Sequence, residues 1–132
     1  MINKKLGNDF ERELGEILFE YGFWVHLLNA NKDGQPADII AVKNKMAFLI
    51  DAKVCTNKGF ALSRVEENQD LAMDLWEERG NGQGWFALKV DNQVYMIPHI
   101  HIKTYQSSKS ILSNKDIEDI GIPIEKWVTR WK

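Results

Sequence analysis

The run Met46 to Val54 is apolar enough for a buried strand, yet it carries Asp51 and Lys53. Side chains alternate across a strand, so these two charges share one side while Ala52 points to the other. A buried carboxylate is unstable unless it is paired or metal-bound, and any fold for this chain must supply its partner. Lys53 alone could do so as a structural ion pair. A second carboxylate, Asp38, opens the preceding apolar run Asp38 to Val42, and Lys43-Asn44-Lys45 between the runs is short enough for a hairpin. That hairpin can bring Asp38 beside Asp51. Two carboxylates in close register repel unless positive charge lies between them. A hard divalent cation such as Mg²⁺, which prefers oxygen ligands, fits that place.

The surrounding pattern supplies the frame. Leu6, Phe10, Leu14, Ile17, Leu18 and Tyr21 recur at helical spacing, predicting a helix over Lys4 to Tyr21 that Gly22 stops. Phe23 to Leu28 reads as a strand, and Asn29 to Pro36, with Asp33-Gly34, as a polar loop. Ser63-Arg64-Val65-Glu66 has capping-box spacing, which predicts a second helix from there to Gly80. Trp85 to Val90 and Val94 to Pro98 flank Asp91-Asn92-Gln93 as a second hairpin. His101 to Ser107 and Lys115 to Ile120 read as short helices, and Ile124 to Trp131 is mixed. The expected class is α/β, an α-β-β-β-α-β core over about residues 4–98 with an extension over 99–132. No repeat or linker divides the chain, so residues 1–132 are expected to form a single domain.

At 132 residues such a domain buries roughly two thirds of its unfolded surface and can hold a core without disulfides. Cys55 is the sole cysteine, which excludes an intramolecular disulfide, and the N-terminus shows no signal-like apolar run. A cytoplasmic protein is expected. The apolar runs fall far short of the ~20 residues of a membrane span. With 17 basic and 19 acidic side chains, the chain is not built to coat nucleic acid by bulk charge. Residues 1–64 hold nine bases and eight acids, and residues 65–132 hold eight and eleven, so a polyanion site should use the first half.

Two further residues stand out by position. Asp9, Glu13, Glu16 and Glu20 project opposite the apolar stripe of the first helix, whereas Glu11 sits at the stripe's edge between Gly7 and Gly15 at i−4 and i+4. The glycines either keep space open at Glu11 or permit close helix–sheet packing with Glu11 solvated. Gln69 projects near the middle of the arc Val65, Leu71, Ala72, Met73, Leu75 and Trp76, away from the acidic face of Glu66, Glu67, Asp70, Asp74, Glu77 and Glu78. A buried amide needs partners. It either bonds backbone at a strand end or reaches the place where Asp51 and Lys53 emerge. His99 and His101 would share a strand face and read as surface histidines or as transition-metal ligands, while His26 and Cys55 read as packing residues. Trp127 and Trp131 either dock the tail on the body or form a partner surface.

Gly7-Asn8-Asp9-Phe10-Glu11-Arg12-Glu13-Leu14, Tyr21-Gly22-Phe23, Pro36-Ala37-Asp38-Ile39-Ile40-Ala41, Ile50-Asp51-Ala52-Lys53 and Glu67-Asn68-Gln69 together resemble the PD-(D/E)xK nuclease superfamily. Within it the chain is most similar to Holliday-junction resolvases of archaeal and of bacterial or phage type. The Asp-x-Lys motif alone is weak, and its conjunction with the helix-one glutamate and the strand-opening aspartate is much stronger. The resemblance implies a restriction-endonuclease-like core with a central mixed sheet flanked by helices. It implies a Mg²⁺-dependent DNA endonuclease, with Mn²⁺ as a substitute, that resolves four-way junctions as a homodimer in a bacterial, archaeal or phage-infected cell. Other readings are a nuclease of this fold acting on other DNA, such as a restriction-like, flap or repair enzyme, and a silent DNA-binding module.

Carried over by position, the resemblance makes Glu11, Asp38 and Asp51 metal ligands, the Ala52 carbonyl a further ligand, and Lys53 the residue that orients or activates water. Gln69 matches a glutamine at the active-site edge, and Arg12 a basic position beside the helix-one glutamate. Lys4, Lys5, Arg12, Lys32, Lys58 and Arg64 are the candidate DNA contacts. Departures from the pattern are Ala37 between Pro36 and Asp38, Asp51 where resolvases more often have glutamate, and a short Asn29–Gln35 loop.

Overall fold

The computed structural model describes residues 4–28 and 37–131. Helix α1 spans Lys4–Glu20 and ends at Gly22, whose φ of +91° lies in the left-handed region that glycine enters without strain. Strands β1 (Trp24–Leu27), β2 (Ile39–Lys43) and β3 (Met46–Val54) follow as an antiparallel meander. The β2–β3 turn is two residues, Asn44 and Lys45, both at positive φ, which suits the right-handed twist of a hairpin. Beyond β3 come β4 (Phe60–Ala61), one 3₁₀ turn (Leu62–Arg64) and helix α2 (Glu67–Glu78). Strand β5 (Trp85–Val90) pairs parallel with β3, and β6 (Gln93–Pro98) pairs antiparallel with β5. Helix α3 (His99–Gln106), β7 (Ile111–Leu112), α4 (Asn114–Ile120), β8 (Ile122–Pro123) and α5 (Ile124–Trp127) complete the order.

The main sheet runs β1-β2-β3-β5-β6-β8, mixed because of the β3–β5 pair, with helices on both faces. On one face Phe10, Leu14 and Leu18 of α1 pack on Ile39, Ala41, Phe48, Ile50 and Ala52. On the other, Met73 of α2, Ile102 of α3 and Ile117 of α4 cover Leu49, Phe86, Leu88 and Ile97. Among the described residues no helix is long and apolar enough to cross a membrane.

Several expectations change. The second helix starts at Glu67: Ser63 lies in the 3₁₀ turn, Val65 is extended, and the capping box is formed by Glu66 with Gln69. Burial of Leu62 and Val65 in the core under α2, α3 and α4 competes with helix there and wins. His99 and His101 share no strand face, because the chain turns helical directly after Pro98. His99 is buried and His101 exposed. The broad arc on α2 also divides, with Gln69, Met73 and Trp76 turned inward while Leu71 and Leu75 face outward at 58% and 47% exposure. The tail docks on the body: β8 pairs with β6, fully buried Trp127 stacks on Phe23 at 5.7 Å, and Trp131 meets Phe48 at 4.8 Å.

Candidate active site at the end of strands two and three

Strand β2 begins at Ile39, opposite Ile50, so β3 runs on past its neighbour. The Ala52 N–H on that side is left without a strand partner, and the Asp38 carboxylate accepts it at 2.7 Å. Asp38 thereby extends the ladder with its side chain. Asp51 is fully buried on the face that α2 covers. Its Oδ1 accepts the Gln69 amide N–H at 3.1 Å, and its Oδ2 lies 3.3 Å from Lys53 Nζ. That ion-pair contact falls outside hydrogen-bond geometry, which leaves Oδ2 buried without a hydrogen-bond partner. The Lys53 side chain is 16% exposed, at the mouth of the site. Glu11 comes from α1 and interacts with both Asp38 and Lys53.

The electrostatics follow from this crowding. Burial, and then the neighbouring Asp38, push the Glu11 carboxyl up to about 7, with Lys53 opposing the rise. Burial first and Asp38 second hold the Asp51 carboxyl well above the usual carboxylate range, again against Lys53. Glu11 and Asp51 thus both lie in the field of Asp38, with Lys53 the opposing charge. Among the described residues no three His, Cys, Asp or Glu side chains stand ready grouped as a metal cage. The carboxylates instead face one another in pairs, and the donor set is all oxygen, the set a hard cation takes.

Gln69 reaches Asp51, and the backbone it bonds belongs to its own helix cap and not to a strand end. Its Oε1 accepts the Glu66 backbone N–H in the capping box while its Nε2 holds Asp51. Gln69→Ala should therefore lower stability by about 1–2 kcal/mol, from the lost cap and the unpaired Asp51 oxygen. It should also slow cleavage under conditions where the variant is fully folded. Urea unfolding beside single-turnover cleavage checks this, and normal cleavage by folded variant would assign Gln69 to structure alone.

The candidate DNA contacts divide. Lys32 lies outside the described residues, and Lys4 and Lys5 fall in the first turn of α1. Arg12 is exposed and paired with Asp9 at 3.0 Å. Lys58 is exposed in the Thr56–Gly59 turn. Arg64 is no freely solvated base: its guanidinium donates to the Val54 carbonyl at 2.8 Å and lies over the Phe60 ring, pinning the end of β3. Sequence reasoning missed Glu66, although Glu66-x-x-Gln69 has capping-box spacing. It also missed the contact of buried His99 with Asp70 on α2, for which no local signal exists.

A glutamate on the first helix, an aspartate just before the second strand and Asp-x-Lys on the third are gathered at one end of a mixed sheet, the residue pattern of the PD-(D/E)xK type. A family model described as archaeal Holliday junction resolvase (Hjc) matches residues 2–132, and the chain belongs to that family. Its members are endonucleases that resolve four-way DNA junctions. The fold is also that of the Hjc Holliday junction resolvase from the archaeal hyperthermophile Archaeoglobus fulgidus. The match has a TM-score of 0.71 at 18% identity over 92% of this chain and 99% of that one. Comparison with curated protein sequences gives no significant match.

Proposed function

We propose that this chain resolves four-way DNA junctions by metal-dependent phosphodiester hydrolysis, with Mg²⁺ as the cofactor and Mn²⁺ able to replace it. The observation that carries the reading is Asp51 Oδ2, a buried carboxylate oxygen without a hydrogen-bond partner in the field of Asp38, which also acts on Glu11. A divalent cation would satisfy that oxygen and relieve the repulsion that raises the neighbouring acids. Glu11, Asp38 and Asp51 would hold it, with the Ala52 carbonyl as a further ligand. Bound there, Mg²⁺ lowers the pKa of water and stabilises charge developing on the phosphate. Asp38 is oriented by the Ala52 N–H and Asp51 by Gln69, so two of the oxygen donors are held before substrate arrives. Lys53 adds a fixed positive charge at the mouth, where it can orient the attacking water and stabilise a phosphoryl oxygen. Neutralising three carboxylates would also take residues 1–64 from +1 to about +4, enough for local phosphate contacts.

The test is a panel of linear duplex, flap and four-way substrates in Mg²⁺. Preferential paired incision of the four-way substrate is the expected result, and a preference for flap or duplex would reassign the substrate.

Symmetric resolution needs two active sites, which a twofold homodimer supplies. Leu71 and Leu75, one turn apart on α2, and Ile100 of α3 expose apolar surface. The Lys103–Asp74 pair ties those two helices together. An isologous contact between two copies of this face would cover that surface. Leu71→Asp with Leu75→Asp is expected to halve the mass in sedimentation and to uncouple the paired incisions. An unchanged mass would move the interface elsewhere.

A further inference from the structure

Among the described residues, the sheet face that carries Asp51 is walled by helix on only one side. Helices α2, α3 and α4 cover its β3-β5-β6 half, whereas on the β1–β2 half Trp24 is 61% exposed and His26 is exposed beside it. Alternation along β1 fixes this placement: Val25 and Leu27 turn toward Gly15 of α1, so Trp24 and His26 point to the opposite face. The register locates them against the site. His26 stands opposite Ile40, which stands opposite Leu49, two residues before Asp51 on the same face of β3. Trp24 lies one row further, opposite Val42, which pairs with Ala47. From strand spacing and rise, His26 sits about 12 Å and Trp24 about 16 Å from Asp51. The rings are nearly parallel, at 10° with centroids 6.0 Å apart, so His26 buttresses Trp24 and leaves the indole to solvent.

A large aromatic ring held by a stacked neighbour, exposed and on the same sheet face as a phosphodiester site is a surface on which a base can stack. In continuous duplex every base face is already covered by its neighbours. At the branch point of a four-way junction the base pairs that end each arm can be uncovered, and at 3.4 Å per nucleotide the platform is about five base steps from the cut. We propose that Trp24, backed by His26, is a stacking platform for a nucleobase uncovered at the branch point, and that it helps the protein distinguish junctions from duplex. The proposal rests on the resolvase reading above and names a recognition element that the carboxylates and Lys53 do not provide.

Trp24 is surface-exposed and remote from the carboxylates, so its replacement should leave folding and metal binding unchanged. In single-turnover cleavage of a four-way junction, Trp24→Ala should raise the half-saturating protein concentration about tenfold, the scale of losing one base–aromatic stack. Its saturated rate and its affinity for linear duplex should move less than about twofold. Trp24→Phe should restore most of the loss. A 2-aminopurine placed at the branch point should be quenched by wild type and by Trp24→Phe, and not by Trp24→Ala. Equal half-saturation and equal quenching in wild type and Trp24→Ala would overturn the platform while leaving the resolvase reading intact. A changed mass for Trp24→Ala would give this face to the dimer contact and also overturn it. Failure of wild type to cleave the junction at saturation would overturn the resolvase reading, and the platform with it.

Discussion

Asp51→Asn is expected to abolish junction cleavage, by ~10³-fold or more, because it removes a ligand charge on which several kcal/mol of metal stabilisation depend. Calorimetric titration with Mg²⁺ or Mn²⁺ should show binding in wild type and strongly weakened binding in the variant. Equal affinities would sink the shared metal site. The same substitution should act on stability in the opposite direction. Asp51 and Glu11 both have carboxyls raised by burial, Glu11 from 4.5 to about 7. For an acid whose folded pKa is raised, the native state binds the proton more tightly. Its contribution to stability is full below the unfolded pKa and is lost as pH rises through the folded value. Metal-free wild type should therefore lose stability between about pH 4.5 and pH 7 on account of Glu11, and further as Asp51 ionises. Metal-free Asp51→Asn should be the more stable protein at pH 8, with a shallower dependence on pH. A thermal midpoint at pH 8 below that of wild type would show that the carboxylate is satisfied without metal.

Lys53→Ala is expected to cleave at least ~10²-fold more slowly at saturating Mg²⁺ while binding junctions nearly as well as wild type. Lys53 meets Asp51 at 3.3 Å and is mostly shielded from solvent, so its charge acts on the site more than on distant DNA. The loss should therefore appear in the maximal single-turnover rate, with half-saturation little changed. Lys53→Arg should recover little, since a guanidinium fork does not reproduce a compact ammonium next to a buried carboxylate. Retained cleavage in Lys53→Ala would leave the lysine as an ion-pair partner alone.

The parts of the site that lie on long, regular elements are legible in the amino-acid sequence. Strand β3 occupies Met46–Val54 as its apolar run predicts, and period-two alternation alone puts Asp51 and Lys53 on one side. The Asn44-Lys45 turn fixes the hairpin register, and that register brings Asp38 to the row of Asp51. Glu11 stands out as the one acid of α1 off the solvated face. Its place with Asp38 and Lys53 follows from α1 packing on the meander.

Tertiary structure decided what local pattern leaves degenerate. A helical projection of α2 shows a wide apolar arc, and only packing against the sheet selects Gln69, Met73 and Trp76 as the buried line and turns Leu71 and Leu75 outward. Two capping boxes compete at the start of that helix. The one at Glu66 wins because Leu62 and Val65 are claimed by the core, and with it Gln69 is set against Asp51. Strands β4, β7 and β8 have two residues each, too few for any periodicity, so they exist only through the partners they pair with. His99 turns from an apparent strand residue into a buried partner of α2 for the same reason. The sequence by itself determined the Asp38, Asp51 and Lys53 part of the charged centre, because parity and hairpin register are local. The tertiary structure determined their second ring of support, because those contacts join segments that no short-range pattern connects.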